Sequence, residues 1–171
     1  MNQIDLAKDY LNESQIRFEI AENIYNKNGY AFCVRICQEA VELALKAALR
    51  LIGVDPPKWH DVGPFLKEKM ESYPEWFQNK ITELALISKL LASKREPAMY
   101  GDERTKKSPS SMFNKSDAKN AFLMLNKNGI IIWHDYYGIP GKQVSDYLIK
   151  LSNDYTIFRI KDTSFAVYRR G

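Results

Sequence analysis

A chain of 171 residues with a formal net charge of +4, 45% hydrophobic and 27% charged, has the composition of a soluble globular protein with one sizeable core. No apolar run approaches the ~20 residues needed to cross a bilayer, and the charged opening Met-Asn-Gln-Ile-Asp-Leu-Ala-Lys-Asp is unlike a secretory signal, so a cytoplasmic location away from membranes is expected. The basic excess is mild: it permits contact with phosphates but lacks the dense patch of a dedicated nucleic-acid binder.

Residues 3–26 read as a first helix, with Leu6, Tyr10, Phe18, Ala21 and Tyr25 along its apolar side and Asn26-Lys27-Asn28-Gly29 as its stop. Residues 30–52 read as a second. Val34, Cys37, Val41, Ala44, Leu45, Ala48 and Ile52 recur at steps of three and four, which places them on one buried side. Arg35, Glu39, Glu42, Lys46 and Arg50 share the opposite side, where Arg35 with Glu39 and Glu42 with Lys46 are spaced to pair four residues apart. Gly53 and Asp55-Pro56-Pro57 end the helix. Cys33 and Cys37 are the only cysteines. Four apart on a helix, they point the same way without meeting, so they are expected to pack as reduced thiols, with no metal site.

Residues 58–71 hold a short helix or turn around Trp59-His60-Asp61-Val62. Ser72-Tyr73-Pro74-Glu75 fits the Ser-x-x-Glu capping box and opens a further helix carrying Phe77, Ile81, Leu84 and Leu91. Residues 94–115 are polar and aperiodic, which predicts a long loop with Arg104-Thr105-Lys106-Lys107 at its most exposed part. Asn114 or Ser116 caps one more helix, at 117–126. The character then changes. Gly129-Ile130-Ile131-Ile132-Trp133 is an apolar, β-branched run that favours a strand. A loop at 138–141, a helix at 144–151 and strands at 155–160 and 164–168 follow, the last two joined by the short link 161–163 of a hairpin. The fold class is therefore mainly α: an up-and-down bundle of four to five helices at 1–127, with a small strand-helix-strand-strand extension at 128–171.

The helical part resembles the HEPN family. The resemblance is carried by the second helix, Gln38-Glu39-Ala40-Val41-Glu42-Leu43-Ala44-Leu45-Lys46-Ala47, by His60-Asp61-Val62 after it, and by Arg95 through Tyr100-Gly101-Asp102. It implies a helical bundle that often pairs into a homodimer and works beside a nucleotidyltransferase-type partner in toxin–antitoxin-like systems, on nucleotide or RNA. Active members are metal-independent ribonucleases built on Arg-x4-6-His. Here Arg95 is followed by Tyr100 where histidine is wanted. Cleavage of RNA needs a group that moves a proton near neutral pH; imidazole has an unperturbed pKa of about 6.5 and a tyrosine hydroxyl about 10. The resemblance therefore implies a member that binds without cleaving, with Arg95 able to hold a phosphate. A working ribonuclease, and a pure interaction or antitoxin-like protein, are the alternatives. The tail bears a weaker resemblance to the C-terminal end of a Rossmann-like methyltransferase. With no Gly-x-Gly loop in the chain, no cofactor is expected.

Candidate nucleotide- or RNA-binding residues follow: Arg35, Lys46, His60, Asp61, Arg95, Arg104, Lys106 and Lys107. Each has a plain structural alternative. Arg35 and Lys46 can be solvated partners of Glu39 and Glu42. His60-Asp61 can be a helix cap, with Asp61 accepting a backbone N–H and His60 packing on Trp59. Arg95 can satisfy carbonyls at a helix C-terminus, with Tyr100 in the core. Arg104, Lys106 and Lys107 can serve solubility alone. His134 and Asp135 are adjacent on a strand, where side chains alternate in direction, and do not form a catalytic pair.

Overall fold

The computed structural model describes residues 2–127, 131–133, 156–159 and 166–169. The chain divides into two compact units, 1–125 and 126–171.

The first unit is helical. Helix α1 (Gln3–Asn26) opens on a capping box in which the Asn2 side chain accepts from the Asp5 amide and Asp5 returns to Asn2. A three-residue turn, in which Asn28 adopts φ of 62°, a region asparagine tolerates, leads to α2 (Tyr30–Leu51). The tightness of that turn forces α1 and α2 to run antiparallel. Three contacts fix their register: Arg50 donates to Gln3 at 2.7 Å, Ser14 donates to the Ala40 carbonyl at 2.7 Å, and Cys33 lies 3.5 Å from the Ala21 carbonyl.

Helix α2 is buried on more than the one side its main stripe defines. Ile36, Ala40, Ala47 and Leu49 are buried beside Val34, Cys37, Val41, Leu45 and Ala48. The helix is the spine of the bundle, with α1 on one flank and the long helix after Pro74 on another. Both cysteines are free and fully buried. The neighbouring Cys33 thiol, together with burial, pushes the Cys37 thiol well above its ordinary value and keeps it neutral.

After α2 come α3 (Gly63–Glu68), a single 3-10 turn (Met70–Ser72) and α4 (Glu75–Tyr100). Two expectations fail here. Pro74 is the N-cap residue of α4 and no side chain caps it, so Ser72 does not form the capping box its spacing suggested. The helix also continues to Tyr100 through Pro97, so residues 94–100 are not loop. Proline removes one backbone donor. It sits in the last turn, where buried Leu91 and Ala98 keep the inward face continuous, and the Gly101 amide closes the end on the Pro97 carbonyl at 2.9 Å. The remainder of the supposed loop holds a one-turn helix, α5 (Pro109–Met112). Asn114, not Ser116, caps α6 (Lys115–Lys127): its side chain accepts from the Ser116 and Asp117 amides at 2.8 and 3.2 Å. Helix α6 lies on α1, with Phe122 stacked at 5.0 Å on Phe18.

In the second unit, β1 (Ile131–Trp133), β2 (Thr156–Arg159) and β3 (Ala166–Arg169) are antiparallel in the order β1-β3-β2, with Ile132 and Phe158 both opposite Val167. The predicted helix at 144–151, the loops at 138–141 and 161–163, and His134-Asp135 lie outside the described residues.

Candidate functional site

The candidate residues gather at two places along α2. Midway along the helix, Glu42 is the centre of a closed cluster. One carboxylate oxygen accepts from Lys46 Nζ at 2.7 Å; the other accepts from Gln38 Nε2 at 2.8 Å and lies 2.9 Å from His60 Nδ1. Lys46 and Glu42 are only 12% and 13% exposed. Burial works to raise the Glu42 carboxyl, but its bonds from Lys46, Gln38 and His60 outweigh burial and hold it below the ordinary carboxylate value. Lys46 is therefore an internal counter-ion, and His60 ties its loop to α2 through Glu42. Trp59 beside it stands 70% exposed.

Asp61 does take the capping role. Its Oδ1 accepts from the Gly63 amide at 3.0 Å and from the Ser88 hydroxyl at 2.8 Å, and the Ser88 oxygen accepts from the Val62 amide at 2.9 Å. This pins the start of α3 to the middle of α4. Ser88 is not among the sequence candidates, yet it carries a signal: it is a polar residue on the inward stripe of α4, between Phe77, Ile81 and Leu91, and a buried hydroxyl needs a partner.

The second place is the N-terminal end of α2, where it meets the C-terminal end of α4. A cavity of about 490 Å³ lies there, lined by Tyr30, Phe32 and Arg35 of α2, Met99 of α4, and Pro109 and Phe113 around α5. The first turn of α2 has no side-chain cap and no acidic residue, so the partial positive charge of its amides is uncompensated from within the helix. The Arg35 guanidinium lies 4.7 Å over the Phe32 ring. Its nearest carboxylate, Glu39 at 3.6 Å, is approached at 3.4 Å by Arg17 as well. Arg35 Nε is buried with no hydrogen-bond partner. The same is true of Arg95 Nε, and Arg95 reaches the cavity wall through a 3.7 Å contact with the Met99 sulfur. Neither alternative for this pair holds. Arg95 contacts a sulfur and no helix carbonyl, and Tyr100 is 66% exposed, not core.

The chain leaves α4 through Gly101 into the basic loop. Asp102 and Lys107 exchange backbone hydrogen bonds at 2.9 and 3.0 Å, and Asp102 Oδ1 accepts from the Arg104 and Thr105 amides at 2.9 and 3.2 Å. Bonds from Thr105, by side chain and backbone, and from Arg104 hold the Asp102 carboxyl below its ordinary value. Gly101 has φ of 80°, and a Cβ there would stand 2.1 Å from the Lys107 carbonyl oxygen, so only glycine fits. Arg104, Lys106 and Lys107 are exposed on this small scaffold, and Pro109 on the cavity wall follows two residues later. The structure thus places Arg35 on the cavity and Arg95 against its wall residue Met99, leads the basic loop past it, and commits Lys46, His60 and Asp61 to internal contacts elsewhere. Among the described residues no group of three or more His, Cys, Asp and Glu side chains is placed to hold a metal ion, and no helix is long and apolar enough to cross a membrane.

The model of the HEPN domain family matches residues 7–127. This chain belongs to the HEPN domain family. The match takes in both places on α2 and the whole basic loop. The crystal structure of TT1696 from Thermus thermophilus is similar to this HEPN chain with a TM-score of 0.57 and 21% identity, over 74% of this chain and 93% of that one, a likeness of fold. No curated protein matches.

Proposed function

We propose that this HEPN chain is a nucleotide- or RNA-binding module that does not cleave, and that it acts in the cytoplasm as a homodimer beside a nucleotidyltransferase-type partner in a toxin–antitoxin-like system. The binding function is assigned to residues 1–127, with 128–171 as an appended unit. The observation that carries the reading is the composition of the Arg95 neighbourhood. Arg35 lines the cavity and Arg95 touches its wall residue Met99, while His60 is bonded to Glu42 seven residues further along α2 than Arg35, about 10 Å of helix away. Phosphate can be held at this end of the bundle, and the imidazole needed to take a proton from a 2′-hydroxyl is engaged elsewhere. Exposed Leu86 and Leu90, four apart on α4, supply apolar surface for pairing.

The test is incubation of wild type and Arg95→Ala with labelled RNA in EDTA. No cleavage by either protein, with weaker RNA retention by the variant at low salt, is expected. Cleavage that disappears in Arg95→Ala makes the protein a metal-independent ribonuclease and overturns the non-cleaving reading. The absence of any saturable nucleotide or RNA binding leaves the interaction-only alternative.

A further inference from the structure

We infer that His60, on the loop before α3, is an acceptor for a phosphoryl group, taken at Nε2 from a small donor with a ready leaving group, a phosphoramidate or an acyl phosphate. The site lies midway along α2, apart from the cavity, and does not depend on nucleotide binding there.

The 2.9 Å contact between His60 Nδ1 and Glu42 Oε2 decides where the ring keeps its lone pair. An ionised carboxylate only accepts, so Nδ1 carries a proton. In the neutral imidazole the lone pair is then on Nε2. Glu42 stays ionised at neutral pH, because its bonds from Lys46, Gln38 and His60 outweigh its burial. Gln38 is only 2% exposed, and its amide donates to the same Oε2 at 2.8 Å, which fixes the direction of the carboxylate. The ring is therefore tied at one nitrogen by a well-held anion. Among the described residues nothing bonds the other nitrogen.

The ring is also open to solvent. The His60 side chain is 52% exposed, and Lys58 and Trp59 before it are exposed as well, so a small donor reaches it without any movement of the bundle. Asp61, the nearest acid in sequence, is occupied by the Gly63 amide and the Ser88 hydroxyl. Attack by the Nε2 lone pair forms an N–P bond as the bond from phosphorus to the leaving group breaks. Ammonia from a phosphoramidate, or the carboxylate from an acyl phosphate, departs with that electron pair. The ring becomes positive, its proton stays on Nδ1, and the Glu42 carboxylate answers the new charge. Phosphoryl transfer asks chiefly for a placed nucleophile and a favourable field, and Lys58 brings an exposed cation to the same short loop.

Incubation of the whole protein with potassium phosphoramidate or acetyl phosphate, followed by intact mass and phosphorus NMR, tests this. One phosphoryl group is expected, on Nε2 of His60, with the only other histidine, His134, as the reference inside the same chain. His60→Gln is expected to abolish that signal. Glu42→Gln, checked to be folded, is expected to slow uptake at least about tenfold, and Lys67→Ala, which deletes an exposed cation on α3, to leave the rate unchanged. Nitrogen NMR of the unmodified protein is expected to show the neutral His60 ring protonated on Nδ1; this readout does not move if Glu42 merely supports the fold. A neutral ring protonated on Nε2, no uptake at His60 from either donor, modification at Nδ1, or an unchanged rate in folded Glu42→Gln overturns the inference and leaves the nucleotide-binding reading untouched.

Discussion

The middle and the N-terminal end of α2 carry the same kinds of residue and use them oppositely. Around Glu42 every charge is answered: Lys46, Gln38 and His60 each bond the carboxylate. Around Arg35 aromatic groups line a cavity, and the Arg35 Nε, 3.6 Å from Glu39, makes no hydrogen bond. One helix therefore contains a polar cluster that contributes to holding the bundle together and another with binding capacity to spare. The difference does not lie in the charges themselves but in what the neighbouring elements bring. The loop before α3 delivers His60 to the first place, whereas the end of α4 delivers Met99 to the other.

The largest effect that would break this contrast lies beside the closed cluster. Gly63 packs so closely on α4 that a Cβ there would sit 2.8 Å from the Ala85 Cα and 2.9 Å from its carbonyl oxygen. Gly63→Ala is expected to push α3 off α4 and cost ~3 kcal/mol, read as a fall in the urea midpoint with unchanged slope. Glu42→Ala comes next. It strands Lys46 in a site that is 12% exposed and is expected to cost ~2 kcal/mol, below the full value for a buried pair because solvent still reaches the charge. The pH dependence has a definite sign. The Glu42 carboxyl is held below its ordinary value in the folded protein, so its contribution is present above about pH 4.3, the unfolded glutamate value, and is lost as pH falls through the lower folded value. Thermal melts between pH 3 and pH 6 are expected to show a shallower acid loss in Glu42→Gln than in wild type. Equal slopes would remove Glu42 from the centre of the cluster. Ser88→Ala is expected to cost ~1.5 kcal/mol, since it leaves Asp61 and the Val62 amide each one partner short; chemical denaturation measures it.

How legible each place is in the sequence follows from the range of its contacts. Helix α1, both helical pairs Arg35–Glu39 and Glu42–Lys46, and the Asn114 cap depend on residues three or four apart, and their spacing shows them. The His60–Glu42 bond spans eighteen residues and Ser88–Asp61 twenty-seven, so neither spacing nor composition announces them. The polarity of residues 94–100 and the proline at 97 resemble a loop, which ends α4 too early when only the sequence is read. The helix persists because Ala98 stays buried behind the proline, a tertiary fact. Arg35 and Arg95 are both visible as candidates, the first from its charged face and the second from the family motif. The cavity beside Arg35 is not, because it depends on α4 running to Tyr100 and bringing Met99 to the same wall as Phe32. Phe113 gives no signal as a wall residue because it lies in a polar, aperiodic stretch.

The smallest expected effect is the most telling one. If the Arg35 end is poised for a ligand, then Arg35 contributes little to the fold. Its one ion pair, with Glu39, is long at 3.6 Å and partly exposed, worth ~0.5 kcal/mol or less. Against that stands the burial of the same Nε, which makes no hydrogen bond and whose removal relieves a cost of desolvation. The two nearly cancel, so Arg35→Ala is expected to change the unfolding free energy by less than ~0.5 kcal/mol, within the range of ordinary surface substitutions. Differential scanning fluorimetry beside Glu42→Ala supplies the internal scale. A drop in Arg35→Ala as large as that of Glu42→Ala would mean that both ends of α2 serve the bundle, and the distinction between a satisfied cluster and an open one would disappear. A near-zero change, alongside lost phosphate binding, would separate the residue that holds the helix from the residue that holds the ligand.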